Sequence, residues 1–512
     1  MIKQILGLFW AELGIMLAYL VYTGFVNFTL ISGSNLNTGL SAHDEYVAVN
    51  EVYNILHPYS LKHLFMSLTT GSIQYYGREV FYLDAIVAWL PEKIWGLEGM
   101  VVSIRLFHAL LMAFALFLLV KTFVKQRFFR LFLIFTLLFS HYTIYFGVMP
   151  KPEPHQFFFL ALFLYYFVKR EYSAGWYFVF LGLAYGIKFN ILVLLPGFFV
   201  ILIMKHGLIW RKLFMSIGYL VIGFLFANPF IILGLVKTEF LMAYLNNTFF
   251  FVKNIDDVAS VSFKDWFYQV WIVYFNSGLY LAVFGLAIAL FFLIRTIIHD
   301  RVLSLFNPGV ILLTMGLALL FPVMLWSKRL YPHYLWPGYI FFMMGLFVLI
   351  ENSNFKKYLK KSFIVLLSFS VLNYSFKSLP SLIADRLAAK TTSEKQNECI
   401  SKLFVNEENP IVLQDIAVYY PFEHLVNNYR HHPFSGNPPY EISGRKIFWH
   451  SGMTVNYVNE LKPNWLILSK RFKESKYYSM KECIFQSPDF STLYERVNNQ
   501  CPDLIFYKKR IK

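Results

Sequence analysis

Five short stretches of the chain hold ionisable residues whose types and spacing could do chemistry. His43-Asp44-Glu45 sets a histidine and two adjacent carboxylates just after a long apolar run. A carboxylate there could take a proton from a hydroxyl; as plain structure, Asp44 would cap a helix and Glu45 would sit at the positive end of its dipole. Tyr75-Tyr76-Gly77-Arg78-Glu79 adds a cation and an anion at the head of an aromatic stretch running through Trp89-Leu90-Pro91. Such amphipathic, aromatic stretches usually lie flat in a membrane interface. Lys151-Pro152-Glu153-Pro154-His155 packs a cation, an anion and an imidazole between prolines that hold the backbone stiff. Its plain reading is a surface Lys151–Glu153 pair worth at most ~1 kcal/mol. Lys188 stands between two apolar runs, where a lysine can snorkel toward headgroups or meet an anion. Lys328-Arg329 precedes Tyr331-Pro332-His333. Adjacent cations suit a phosphate, which arginine can grip with two donors; anchoring to anionic lipid heads is the alternative.

These stretches belong to a chain of 512 residues that is 57% apolar by residue type, 20% aromatic and only 15% charged. Soluble domains run at ~45–50% apolar and ~25% charged, and a single soluble core stops growing near ~250–300 residues. An ordinary cytosolic enzyme and a disordered protein are both excluded. The chain reads as a polytopic membrane protein. A hydrocarbon core ~30 Å thick needs about 20 apolar residues per helix, and about eleven stretches qualify. They are 5–31, 100–120, 131–149, 156–168, 174–187, 189–204, 213–235, 271–294, 309–326, 334–350 and 362–380. The first is too long for a signal-peptide core and lacks a small-residue cleavage site.

The net charge of +16 would point a soluble protein toward nucleic acid. Here the basic residues sit in short loops between apolar runs, so no nucleic-acid partner is expected. The loops near 121–130, 169–173, 205–212, 295–301 and 351–361 lie alternately on one side and carry most of the loop lysines and arginines. The positive-inside rule makes that side cytoplasmic. The N-terminus is then inside, and 32–99, 236–270 and the tail are outside. Lys151, Lys328 and Arg329 are the basic residues of the short outer loops. The candidate groups therefore gather on the outer face. No internal repeat is visible, and no buried charge is expected at mid-span.

The sequence divides into a membrane domain over 1–380 and a polar tail over 381–512. The tail holds turn clusters such as Asn437-Pro438-Pro439, and Pro410-Ile411-Val412-Leu413 and Trp465-Leu466-Ile467-Leu468 read as buried strands. It is predicted to be a small extracytoplasmic α/β domain. Cys399, Cys483 and Cys501 show no metal-binding spacing. Outside the cytoplasm a Cys483–Cys501 disulfide could form, leaving one cysteine over.

Several segments carry a family likeness in the right order. Asp44-Glu45 opens a long outer loop after a single helix. Ser103-Ile104-Arg105-Leu106-Phe107-His108-Ala109 leads the second helix, and Lys151-Pro152-Glu153 opens the fourth. Gly182-Leu183-Ala184-Tyr185-Gly186-Ile187-Lys188-Phe189 crosses the fifth and sixth, and Arg329-Leu330-Tyr331-Pro332-His333-Tyr334-Leu335 forms a late loop. Over roughly residues 1–380 the chain resembles the GT-C class of integral-membrane glycosyltransferases. The nearer likeness is to the bacterial members of family 39, akin to protein O-mannosyltransferases and the lipid A aminoarabinose transferase. The tail shows no recognisable match.

The resemblance implies an all-α polytopic GT-C fold and a transferase that takes a sugar from a polyprenyl-phosphate donor to a hydroxyl on the outer face. It implies Asp44 as general base, with Glu45 orienting it, and Lys328 and Arg329 holding the lipid phosphate. Lys188 or Lys151 would be a further phosphate contact. Arg78, Glu153, His155, Tyr331 and His333 would bind substrate. Displacement would invert the anomeric centre. Family 39 does not clearly need a metal, although His43, Asp44, Glu45, Glu153 and His155 could form a divalent site. The readings set against this are a lipid-linked glycan flippase or transporter, a non-catalytic envelope assembly protein, and a GT-C polymerase or ligase acting on an envelope glycan.

Overall fold

The computed structural model describes residues 2–31, 43–58, 61–69, 77–229, 231–232, 264, 268, 307–319, 332–353, 355–403, 411–414, 440–442, 445–449, 455–470, 473, 476–479, 481, 483–497, 501 and 504–510. The main helices are α1 (Ile2–Ile31), α2 (His43–Leu56), α3 (Leu61–Thr69), α4 (Arg78–Phe123), α5 (Arg127–Leu138), α6 (His141–Gly147), α7 (Glu153–Lys169), α8 (Phe178–Ile187), α9 (Leu195–His206), α10 (Trp210–Ala227), α11 (Pro308–Ala318), α12 (Pro332–Asn352), α13 (Lys357–Leu403) and α14 (Val455–Leu461). The strands are β1 (Ile411–Gln414), β2 (Tyr440–Ile442), β3 (Arg445–Trp449), β4 (Trp465–Ser469), β5 (Tyr494–Val497) and β6 (Leu504–Lys509). The chain divides into two compact units. One comprises Met1–Val26, Gln74–Val87 and Val102–Ser381; the other comprises Asn27–Ile73, Ala88–Val101 and Leu382–Lys512.

The first unit is a helical bundle. Among the described residues of the chain, five helical segments are long and apolar enough to cross a membrane: Trp10–Phe28, Glu98–Phe123, Trp210–Ala227, Leu335–Asn352 and Lys357–Ser381. The predicted span 131–149 is a bent pair, α5 and α6, meeting at 61°. At the bend Ser140 Oγ donates to Leu137 O at 2.8 Å and meets Thr143 Oγ1 at 3.0 Å, a local alternative to the helix ladder. The predicted spans 174–187, 189–204 and 309–326 appear as shorter apolar helices. The predicted span 271–294 lies outside the described residues.

Close packing follows from small residues. A Cβ on Gly182 would overlap the Leu220 carbonyl, and one on Gly223 would overlap the Val179 carbonyl. These glycines let α8 and α10 touch backbone to backbone, the usual way membrane helices associate. The α12 span is buried nearly throughout. Its Trp336 indole donates to Thr143 Oγ1 at 3.3 Å, and Tyr19 donates to Thr143 O at 3.1 Å.

One end of this bundle is tied by charge. Glu351 at the end of α12 accepts from the backbone N–H of Gln126 at 2.5 Å and of Lys125 at 3.2 Å. Arg130 Nε meets Glu12 Oε1 at 2.9 Å, and Lys361 lies over the Phe128 ring at 4.9 Å. The loops at 121–130 and 351–361, assigned to one side by their basic residues, are thus joined at the same end. The opposite end holds the candidate site.

The second unit contains a six-stranded sheet in the order β2-β3-β1-β4-β6-β5. Strand β1 runs parallel to β3 and β4, and the other pairings are antiparallel. The two apolar runs read as strands are β1 and β4, and every residue of β4 is buried. A parallel pair needs a crossover between its strands, and α14 lies between β3 and β4. Helix α13 runs without a break through Pro380 to Leu403. The disulfide joins Cys399 to Cys501, not Cys483 to Cys501; Cys483 is a free thiol buried in the core of the sheet's cluster with Leu466, Leu468 and Tyr494. The sequence offered no spacing to choose between them, and the fold buries Cys483 among apolar side chains instead. In the same unit the end of α2 meets α4, where His57 Nε2 lies 3.0 Å from Glu92 Oε1. Ile86 of the first unit, and Trp89, Leu90, Ile94 and Trp95 of this one, leave much of that stretch of α4 exposed and apolar, as the interfacial reading expects.

Candidate active site

Helix α4 is broken at Gly96, whose φ of 65° and ψ of −152° lie outside the helical region. A residue other than glycine is strained in that conformation. The break decides what the helix can bring together. Asp84 and His108 are 24 residues apart, which on a straight helix would separate them by roughly 36 Å at ~1.5 Å per residue. Instead His108 Nε2 lies 3.0 Å from Asp84 Oδ1 and 3.1 Å from Oδ2.

His155, from the first turn of α7, completes a buried cluster. Its Nε2 is 3.2 Å from Asp84 Oδ1, and its ring stands edge-on to that of His108, centroids 4.7 Å apart. All three side chains are essentially inaccessible. Burial alone would raise the Asp84 carboxyl; the His108 and His155 imidazoles outweigh it and hold the group down to about 2. His108 Nδ1 lies 3.3 Å from both the Met149 carbonyl and the Lys151 N–H, so the cluster also touches the proline-stiffened loop 149–154.

That loop carries a second buried polar group. Glu153 sits in the first turn of α7, with Pro154 beside it, a placement that both the dipole and the missing proline N–H favour. Glu153 Oε1 receives a bond from Lys188 Nζ at 2.7 Å. Lys188 ends α8 in an extended conformation before a 3₁₀ turn, Phe189–Leu194. Gln156 fixes the same corner, donating to Ala184 O at 3.0 Å and Lys188 O at 2.6 Å. Lys151 is buried too. The expected exposed Lys151–Glu153 pair is therefore corrected: Glu153 pairs with Lys188, in the interior.

Three further ionisable side chains, Arg78, Glu79 and Arg105, are buried. Arg78 opens α4 with its guanidinium 4.8 Å from the Phe81 ring centroid. Beside it, burial pushes the Glu79 carboxyl up to about 8, against a smaller opposing pull from Arg78. Arg105 lies within the span Glu98–Phe123, as does His108. This overturns the expectation that no charge is buried within a span; the sequence shows Arg105 and His108 in an apolar run but not the Asp84 carboxylate that the break at Gly96 brings to His108.

The structure thus brings Lys151, Glu153 and Lys188 to one corner, and His155 to Asp84 and His108. Asp44 and Glu45 lie in the first turn of α2 and His333 in the first turn of α12, with side chains outside the described residues. Lys328, Arg329 and Tyr331 lie outside them altogether. Asp84 was missed from sequence. A lone carboxylate in Phe81-Tyr82-Leu83-Asp84-Ala85 was the signal, since an apolar helix rarely keeps one without a use.

No family model matches the chain, and no curated protein sequence matches it. Solved structures do. ArnT from Cupriavidus metallidurans bound to undecaprenyl phosphate aligns at a TM-score of 0.60 with 12% identity, over 96% of this chain and 98% of that one. The apo state of the same protein aligns at 0.57 with 12% identity, over 97% and 98%. At this identity the likeness speaks for the fold: the chain has a polytopic membrane fold of the GT-C kind, as the resemblance over residues 1–380 led one to expect.

Proposed function

We propose that the chain transfers a sugar from a polyprenyl-phosphate donor to a hydroxyl acceptor at the outer face of a bacterial inner membrane. The observation that carries this is the match in fold, over nearly the whole of both chains, to a protein solved with undecaprenyl phosphate bound. The order of Asp44-Glu45, Lys151-Pro152-Glu153, Lys188 and Lys328-Arg329 along that fold supports it.

In this reading the acceptor oxygen attacks the anomeric carbon as the bond to the phosphate oxygen breaks. Asp44 accepts the hydroxyl proton, and Glu45 orients it. The electron pair leaves with the lipid phosphate, and Arg329 and Lys328 stabilise that charge most strongly in the transition state. One displacement inverts the anomeric centre. The buried Glu153–Lys188 pair holds a lysine at hand for the donor phosphate, with Lys151 nearby on the same loop. Arg78, Tyr331 and His333 contribute substrate contacts. The basic loops support an outer location for the tail, and so does the Cys399–Cys501 disulfide, a bond typical of oxidising compartments. Buried charges in a span also suit a transporter, so the test must separate conversion from movement. Purified protein is incubated in detergent with a panel of polyprenyl-phosphate sugars and envelope extract, and the lipid is followed by mass spectrometry. Accumulation of free polyprenyl phosphate supports the transferase. Intact donor, together with movement of that donor across reconstituted vesicles, would replace it with the flippase.

A further inference from the structure

The Asp84–His108–His155 cluster has no task in the transfer just described, yet burying it is costly. Two imidazoles and a carboxylate are withdrawn from water, and polar groups so placed are normally fully bonded. His155 is not: neither ring nitrogen makes a well-formed hydrogen bond among the described residues, although Nε2 faces Asp84 at 3.2 Å. A packed histidine serving only as structure would satisfy at least one nitrogen.

The geometry fits a cation between the three groups. Asp84 Oδ1 is 3.0 Å from His108 Nε2 and 3.2 Å from His155 Nε2, and the three ligand atoms all lie within 4.8 Å of one another. A tetrahedral ion with bonds of ~2.0–2.1 Å has ligand atoms about 3.3 Å apart, close to both distances from Asp84 Oδ1, and binding would set the two Nε2 atoms to the same spacing. The surroundings of His108 fit as well. A metal-bound imidazole usually donates its other N–H to a carbonyl, and Met149 O lies 3.3 Å from His108 Nδ1. The Lys151 N–H, also within reach of that nitrogen, has Met149 O at 3.0 Å as an alternative acceptor. His108 then has a partner at each ring nitrogen, and His155 gains one at Nε2, when the Nε2 atoms give their lone pairs to a metal.

We infer that Asp84, His108 and His155 form a divalent metal site of the zinc class, bound through Oδ1 and the two Nε2 atoms with a fourth position open to water. Two imidazoles with one carboxylate select zinc or cobalt over magnesium or calcium. The ion joins both sides of the break in α4 to the start of α7, and so fixes the Lys151–Glu153 loop. This set excludes Glu153, whose Oε1 is taken by Lys188, and none of its members was in the expected set except His155.

The test uses the full-length protein in detergent, stripped with chelator and reloaded with Zn²⁺ or Co²⁺. Expected are about one ion retained per chain after gel filtration, and an intense Co²⁺ absorption of the tetrahedral kind that Zn²⁺ displaces. Zn²⁺, and not Mg²⁺, should raise the unfolding midpoint by at least about 2 °C. His155→Gln should abolish all three effects while still eluting as a folded species. Because the cobalt spectrum and the zinc shift are read on the unmodified protein, a variant that fails to fold leaves the test intact. Retention of less than a tenth of an ion per chain on the scale of full occupancy, with no cobalt colour, would show the cluster to be a hydrogen-bonded imidazole–carboxylate group only.

Discussion

Removing one partner of a buried ion pair costs more than removing both, because it strands a charge in the interior. Glu153 and Lys188 meet at 2.7 Å with little exposure on either side. Lys188→Met should therefore destabilise the protein by about 2–4 kcal/mol, and Glu153→Gln by less, since it leaves a lysine that can reach water. The double variant should lose clearly less than the sum, read as thermal midpoints in a double-mutant cycle. Additive losses would mean that the pair does not act as one. Glu79 offers a test by pH. Its carboxyl is pushed up to about 8 in the fold, mainly by burial, against ~4.3 when exposed. Between those values the unfolded chain ionises and the folded one does not, so stability is lost as pH rises through the window. Glu79→Gln removes that loss. Its midpoint should gain on the unmodified protein steadily from pH 5 to pH 8, and a constant difference would contradict the burial. At this scale the sequence was only partly legible. Lys151, Glu153 and Lys188 were singled out by type and setting, but Asp84 and His108 gain meaning only when the chain folds back.

That folding back belongs to a single element. The sequence separated an interfacial stretch through Pro91 from a span beginning at 100, but nothing in it fixed a turn at Gly96 or its direction. Gly96 is exposed, and a Cβ there would meet nothing. Gly96→Ala thus tests conformation alone. It should cost about 1–2 kcal/mol through the positive φ, seen as a lower thermal midpoint. An unchanged midpoint would mean that the turn is not held in this geometry. The disulfide is likewise a matter of elements: it ties the end of α13 to the segment before β6 across 102 residues. Cys399→Ser should cost about 2–5 kcal/mol in the tail, whereas Cys483→Ser should change little beyond its small loss of packing. Non-reducing peptide mapping should recover Cys399 linked to Cys501. Recovery of Cys483 in a disulfide would contradict the sheet's packing. The strands β1 and β4 were legible because each is a short unbroken apolar run, the mark of a strand covered on both faces. Which cysteines pair was not legible, since pairing depends on where three distant segments end in space.

For the whole molecule, composition alone placed the chain in a membrane, and alternation of basic loops gave an orientation. The ties of Glu351 to the 125–126 backbone and of Arg130 to Glu12 join elements that the alternation put on one side. Helix lengths were less legible: glycine contacts and bends shorten spans that hydropathy sees as continuous. The order of the motifs carried the likeness to GT-C enzymes, and the fold aligns with ArnT over nearly the whole of both chains. The central claim is chemical, and one substitution addresses it. Turnover of a polyprenyl-phosphate sugar by the purified protein is compared with that of Asp44→Asn, donor saturating and acceptor supplied, with released lipid phosphate as the readout. A positioned general base contributes typically 10²–10⁴-fold, so the account predicts a fall of at least about 100-fold in kcat with donor binding retained. Equal turnover by the two proteins would contradict it.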